Sequence, residues 1–151
     1  AVGDGIKGRP SRTYLIVGDG ESNEGQVWEA AMFAAGKKVK NLFWLIDENK
    51  KQLDGTTDSV LPLFDLREKF EAFGFEALRV DGNDVEAVYN ALTAPVGDRP
   101  RAIVLDTVKG RGIPEVEQMA SNHSVTTDAE TYDKWLAVLR AHLAELEERR
   151  S

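Results

Sequence analysis

The chain contains no cysteine. Disulfides, thiolate catalysis and Cys-ligated zinc are therefore excluded. Basic charge is in deficit: 19 Lys and Arg stand against 26 Asp and Glu, a net charge of −7. That balance argues against a nucleic-acid surface. It also means that an anionic ligand needs local help, from a divalent cation and from backbone N–H groups. No apolar run approaches the length that spans a bilayer. Ala1-Val2-Gly3-Asp4-Gly5 has no basic segment followed by an apolar core, so no signal peptide is read and a cytoplasmic location is expected, away from membranes. Internal repeats and low-complexity segments are also missing. The chain starts with Ala rather than Met, and the expectation is a start that is missing or processed.

What is present fits a soluble globular protein. Hydrophobic residues make up 42% and charged residues 30% of 151 positions, enough for one domain, 1–151, with a sizeable core. Residues 1–12, with Gly3, Gly5, Gly8 and Pro10, read as a linker or a truncated start. Residues 13–18 read as a buried strand. Residues 23–35 read as a helix with Val27, Trp28, Ala31, Met32 and Ala35 on one face. Ser22 or Asn23 is positioned to cap it, and Asn23 with Gln26 fits a capping box. Residues 41–47 form a second, bulky apolar strand. A polar loop covers 48–62, with Asp54-Gly55 as a turn. Helix 64–73, strand 75–80, a helix from Asp84 to Leu92 and strand 101–106 follow. A long helix from Asp128 to Glu148 closes the chain. Its apolar stripe of Tyr132, Trp135, Leu136, Leu139, Leu143 and Leu146 reads as core.

Strand and helix alternate, which predicts an α/β fold, a doubly wound and mostly parallel sheet with helices on both faces. Ligands bind such sheets at the carboxyl ends of the strands. Asp19 ends the first apolar run and Asn49 follows the second. A carboxylate and an amide oxygen are hard ligands suited to Mg²⁺, leaving other positions for phosphate oxygens and water. Gly18 and Gly20 let backbone N–H groups approach an anion where the next helix begins. A dinucleotide-binding fingerprint is disfavoured, because Gly18-Asp19-Gly20-Glu21-Ser22-Asn23 lacks the third glycine.

Taken singly, these signals are weak. Gly-Asp-Gly commonly makes a turn. Glu24 equally favours a helix N-terminus through the dipole. His123 in a polar loop and His142 on the last helix both read as surface residues. Lys109-Gly110-Arg111-Gly112 reads equally as a phosphate-binding or a solvated loop.

Together the motifs carry a resemblance. Gly18-Asp19-Gly20 followed by Asn49 resembles the diphosphate-binding motif of thiamine-diphosphate enzymes. The run Gly18-Asp19-Gly20-Glu21-Ser22-Asn23-Glu24-Gly25-Gln26-Val27-Trp28-Glu29-Ala30-Ala31 is similar to transketolase, particularly to the N-terminal subunits of two-chain transketolases. Leu45-Ile46-Asp47-Glu48-Asn49-Lys50-Lys51-Gln52-Leu53-Asp54-Gly55 continues it. Ser121-Asn122-His123-Ser124-Val125 resembles the late histidine segment of that family.

The resemblance implies thiamine diphosphate and Mg²⁺ as cofactors. It implies Asp19, Asn49 and the Lys51 carbonyl as metal ligands. Gly18, Gly20 and Glu21 would lie against the diphosphate, the last two through backbone N–H groups. His123 would sit beside diphosphate and substrate, and Glu24 at a subunit interface near the activating carboxylate, giving both a catalytic role. The implied activity is transfer of a two-carbon ketol unit between sugar phosphates. The family's pyrimidine-binding domain and the long segment before its first motif are not found in this sequence. Either a partner chain completes the site or this chain is a fragment; the partner expected is a C-terminal transketolase subunit, in a hetero-oligomer, with the present chain inactive alone. Thr126-Thr127 stands where the family usually has a second histidine and a glycine. The alternatives are a 2-oxo acid dehydrogenase component, a deoxyxylulose-phosphate synthase, or a non-catalytic Mg²⁺- or anion-binding module.

Overall fold

A computed structural model describes residues 1–149; the expected domain end at Ser151 lies outside the described residues. The chain divides into two compact units, one of residues 1–107 and one beginning at Val108.

The first unit contains helix α1 (Val2–Ile6), strand β1 (Thr13–Gly18), a 3₁₀ turn (Gly20–Asn23), α2 (Gly25–Gly36) and β2 (Leu42–Glu48). A small hairpin follows, β3 (Lys51–Gln52) and β4 (Gly55–Thr56), then the single turn α3 (Thr57–Val60) and α4 (Leu66–Phe73). Strand β5 (Glu76–Asp81), α5 (Val85–Thr93) and β6 (Arg101–Asp106) complete it. Four strands pair in the order β1-β2-β6-β5, all parallel. The last strand in sequence is thus inserted between β2 and β5. Because every strand runs the same way, Gly18, Glu48, Asp81 and Asp106 end at one edge of the sheet.

Helices cover both faces, as the alternation predicted. On one face Val17, Trp44, Ile46, Ala102 and Val104 meet Val27, Ala31 and Ala34 of α2 and Leu66 and Phe70 of α4. Trp28, Trp44, Phe70 and Phe75 form an aromatic cluster there, with ring centroids 5.2 to 5.9 Å apart. On the other face Phe43, Leu45 and Ile103 pack with Ala91 of α5. Strands β2 and β6 are buried on both sides, which is why their sequences are nearly continuous apolar runs.

Helix α1 replaces the predicted linker. Its glycines disfavour helix, yet Gly5 N–H donates to Ala1 O at 3.0 Å and Lys7 N–H to Gly3 O at 3.2 Å. The Asn41 side chain holds the turn by donating to Ala1 O at 3.1 Å, a tertiary contact invisible to local propensity. On α2 the buried face is Val27, Ala31 and Ala34; Met32, expected on it, is exposed. Phe64 precedes α4 rather than joining it, because Asp65 takes the N-cap position and accepts from Glu68 N–H at 3.1 Å.

The second unit consists of a loop, the single turn α6 (Pro114–Glu117) and α7 (Ala129–Glu148). Asp128 caps α7, accepting from Thr131 N–H at 2.8 Å. No residue of α7 is buried. The expectation that its apolar stripe is core is therefore corrected: Tyr132, Leu139, Leu143 and Leu146 are exposed. The periodicity identified the helix and its apolar side, but a stripe does not say what covers it. No helix among the described residues is long and apolar enough to cross a membrane.

Candidate functional site

The site is built where β1 and β2 end side by side. Gly18 is in register with Asp47, and Asp19 N–H extends the ladder by donating to Asp47 O at 3.0 Å. Asp19 is 2% exposed. Its Oδ1 accepts from Gly20 N–H at 2.7 Å, and its Oδ2 accepts from Lys50 N–H at 2.5 Å. One carboxylate thus caps the 3₁₀ turn that leads into α2 and ties it to the chain leaving β2.

This arrangement replaces the predicted cap. Ser22 is buried, and its hydroxyl donates to Gly18 O at 3.0 Å. The N-cap position of α2 is Glu24, without a side-chain cap bond, so the Asn23–Gln26 capping box does not form. Asp19 wins because a 3₁₀ turn stands between the strand and the α-helix, moving the capped turn upstream. The Glu21 carboxylate accepts from Gly18 N–H at 3.3 Å. Trp28 donates from Nε1 to Ser22 O at 2.8 Å, fixing the turn against α2.

The second strand end supplies Asn49. Its Nδ2 donates to Asp47 Oδ2 at 3.1 Å, and its Oδ1 accepts from Lys51 N–H at 3.1 Å. The Asp47 carboxylate also accepts from the Thr107 hydroxyl, just beyond β6. Lys50 sits at φ +64°, a left-handed conformation rare for a residue with a side chain. That conformation goes with the turn that points its N–H at Asp19. Gly20 faces Gln52: a Cβ at position 20 would lie 2.8 Å from the Gln52 Cβ. A Cβ on Gly18 would meet nothing within 4 Å. Gln52 Nε2 is buried and has no hydrogen-bond partner.

A charged cluster flanks this loop. Glu48 and Asp106 are paired in register across β2 and β6, and Asp81 is paired with Asp106 across β5. Arg79 on β5 offsets part of that negative charge. It hydrogen-bonds Glu48, reaches Asp106 at 2.8 Å and lies 3.5 Å from Asp65. The hydrogen bond to Glu48 raises the Arg79 pKa above its already high ordinary value. Burial pushes the Glu48 carboxyl up, against the lowering pull of Arg79.

The structure therefore brings together Gly18, Asp19, Gly20, Glu21, Asn49 and Lys51. Glu24 lies at the start of α2, exposed to solvent. His123 belongs to the second unit, where it too is exposed and its Nδ1 lies 3.0 Å from Lys109 Nζ. The neighbouring Asn122 is buried and anchors that loop, its Nδ2 donating to Lys109 O at 3.0 Å and Val116 O at 2.8 Å. Sequence reasoning missed Asp47, Thr107 and Gln52. Asp47 carried a signal: it is an acidic residue inside an otherwise apolar strand, where Asp is depleted.

Among the described residues no group of three or more His, Asp or Glu side chains is disposed to hold a metal ion. A cation at this site would thus take mixed ligands: one carboxylate, one amide oxygen, a carbonyl and oxygens of its own ligand.

Comparison with known proteins places the chain in a family. The family described as transketolase, thiamine diphosphate binding domain, matches residues 3–139. A 6-deoxy-6-sulfo-D-fructose transketolase subunit from Clostridium sp. (strain MSTE9) is 38% identical over 140 residues, covering 91% of this chain and 48% of that protein. An apulose-4-phosphate transketolase subunit from Phocaeicola vulgatus is 32% identical over 138 residues, covering 90% of this chain and 49% of the relative. The chain spans about half the length of these curated relatives. In fold it matches the crystal structure of transketolase from Campylobacter jejuni with a TM-score of 0.67 at 23% identity, over 94% of this chain and 26% of that one. The motif at the ends of β1 and β2, the parallel sheet that carries it and the span of the family match lead to one assignment: the chain belongs to the transketolase thiamine diphosphate binding domain family.

Proposed function

We propose that this chain is the diphosphate-binding part of a transketolase-type transferase. It would hold thiamine diphosphate through Mg²⁺ and act with a separate subunit that carries the pyrimidine-binding domain. The observation that carries this reading is the Asp19–Lys50 contact, which locks the two strand-end loops into one cradle.

The residues present fit the cofactor. Gly20 leaves no room for a side chain against Gln52, while Gly18 opens onto space that a side chain would fill. The orphaned Gln52 Nε2 is a buried donor beside that loop, suited to an anionic acceptor. Asp19, the Asn49 side-chain oxygen and the Lys51 carbonyl would ligate Mg²⁺. Gly18, Gly20 and Glu21 would face the diphosphate, Gly20 and Glu21 with their backbone N–H groups, the Gly20 N–H leaving Asp19 Oδ1 as that carboxylate takes Mg²⁺. With a net charge of −7 on the chain, Mg²⁺ and those N–H groups are what offset anion repulsion.

When bound, thiamine diphosphate supplies the thiazolium carbon on which two-carbon transfer depends. This chain's part is to hold and orient. The Lys109 Nζ beside Nδ1 leaves the Nε2 edge of the His123 ring for another partner. His123 would then donate from Nε2 to a substrate or diphosphate oxygen. Glu24, exposed and free of a capping duty, would meet the partner chain. The two relatives described above are named as subunits, which supports a partner chain here. Sugar phosphates are the substrate class this reading implies.

Calorimetric titration of thiamine diphosphate tests it, with and without Mg²⁺, the partner and Asp19→Ala. Binding that requires Mg²⁺ and Asp19 and tightens with the partner is expected. Absence of binding even with the partner present would sink the reading.

A further inference from the structure

We infer that Asp47 and Thr107 are positioning residues that fix the side-chain amide of Asn49 in its metal-binding orientation. The inference rests on the reading of Asn49 as an Mg²⁺ ligand.

An asparagine amide presents an acceptor oxygen on one side and an NH₂ donor on the other. Half a rotation about its last bond exchanges them, and the wrong face repels a cation. Asn49 therefore needs a partner that distinguishes oxygen from nitrogen. An ionised carboxylate does so, since it only accepts. Asp47 Oδ2 takes the Asn49 Nδ2 proton at 3.1 Å, which directs Oδ1 to the opposite side, where Lys51 N–H meets it at 3.1 Å.

Asp47 is itself held. Thr107 donates its hydroxyl to Asp47 Oδ1, so the two carboxylate oxygens have divided duties, one facing Thr107 and one facing Asn49. Thr107 is fixed in turn by its backbone, whose N–H donates to Glu48 O at 3.3 Å. The chain of contacts runs from the end of β6 to the end of β2 and then to the ligand. It also accounts for an acidic residue in a strand whose other members are largely apolar. Partners of this kind behind metal ligands commonly account for 10- to 100-fold in affinity.

The test is Mg²⁺ titration of the full-length protein at saturating thiamine diphosphate, read by calorimetry, alongside urea unfolding without metal. Asp47→Ala and Thr107→Val are expected to raise the Mg²⁺ Kd about 10- to 100-fold. Thr107→Ser keeps the hydroxyl and is expected to retain the parental Kd. A merely structural role would lower the metal-free unfolding midpoint and leave the Kd of the folded protein alone. Should Asp47→Ala fail to fold, the Thr107→Val and Thr107→Ser pair decides. An unchanged Kd in Thr107→Val, with Mg²⁺ binding abolished in Asp19→Ala, would overturn the inference and spare the proposed function. Full Mg²⁺ binding by Asp19→Ala would overturn both.

Discussion

Replacing Arg101 with methionine should be among the most damaging single changes in this chain. Arg101 opens β6 and is 1% exposed. Its guanidinium donates to Ala91 O and Ala94 O, each at 2.9 Å, and to Pro95 O. It also pairs with Glu76 Oε1 at 2.9 Å. These carbonyls belong to the last turn of α5 and the residues just after it, where a helix has acceptors without internal partners. A buried ion pair is often replaceable by apolar residues when both partners are changed. Here three partners are main-chain carbonyls and remain in place. Glu76 keeps some exposure and can recover water, but the Ala91 carbonyl bond is buried and cannot. The cost is therefore set near that of breaking a buried pair, about 3–5 kcal/mol. With a urea m-value of roughly 2 kcal/mol/M, the midpoint should fall by about 1.5–2.5 M. Arg101→Lys should land between, because one ammonium cannot reach all the acceptors of a planar fork. Urea unfolding followed by tryptophan fluorescence measures this. A midpoint for Arg101→Met that lies within the error of the parent would refute the argument that these carbonyls depend on Arg101.

Three further outcomes are expected. Arg79→Met leaves Glu48, Asp106 and Asp65 without their shared cation; because Arg79 and two of these carboxylates are partly exposed, the loss should be about 2 kcal/mol, and an unchanged unfolding midpoint would count against the cluster's importance. Gly20→Ala should cost about 1–3 kcal/mol by crowding Gln52, whereas Gly18→Ala, with nothing within 4 Å, should leave the urea midpoint unaltered; equal effects would contradict the cradle geometry. Asp65→Ala should remove about 1 kcal/mol at neutral pH through loss of a helix cap. The Asp65 carboxyl lies below its ordinary value of 3.8, chiefly through the Glu68 N–H. Its contribution is thus present above that value and lost as pH falls through the lower folded value. The difference between variant and parent should therefore close in acid, and a gap that persists there would exclude the capping explanation.

The strands were legible because burial on two faces demands continuous apolar sequence, as in Phe43-Trp44-Leu45-Ile46. The ligand edge was legible because parallel strands share one carboxyl end. The capped turn was not. Asp19, Ser22 and Asn23 are all cap-forming residue types, and the choice among them depends on a backbone N–H from Lys50, 31 residues away. The hairpin at Lys51–Gln52 and Gly55–Thr56 was hidden because two-residue strands have no periodicity to read. Asp47 was absorbed into an apolar run, and its purpose appears only once Thr107 comes back beside it from 60 residues later. The stripe of α7 was read correctly as apolar but not as exposed, since periodicity reports a face and not its cover.

The place of β6 has a consequence for the order in which the protein can be made. Among the described residues strand β5 pairs with β6 alone, and β6 also pairs with β2. Until Arg101–Asp106 has left the ribosome, β5 has no neighbour in the sheet and β2 has one open side. The 25 residues separating Glu76 from Arg101 take about 1–5 s to synthesise at typical speeds. For that interval two strand edges await β6, one of them along the apolar β2. A single late strand then closes both at once and delivers Thr107 to Asp47. Chaperone demand during synthesis should therefore peak just before this strand emerges.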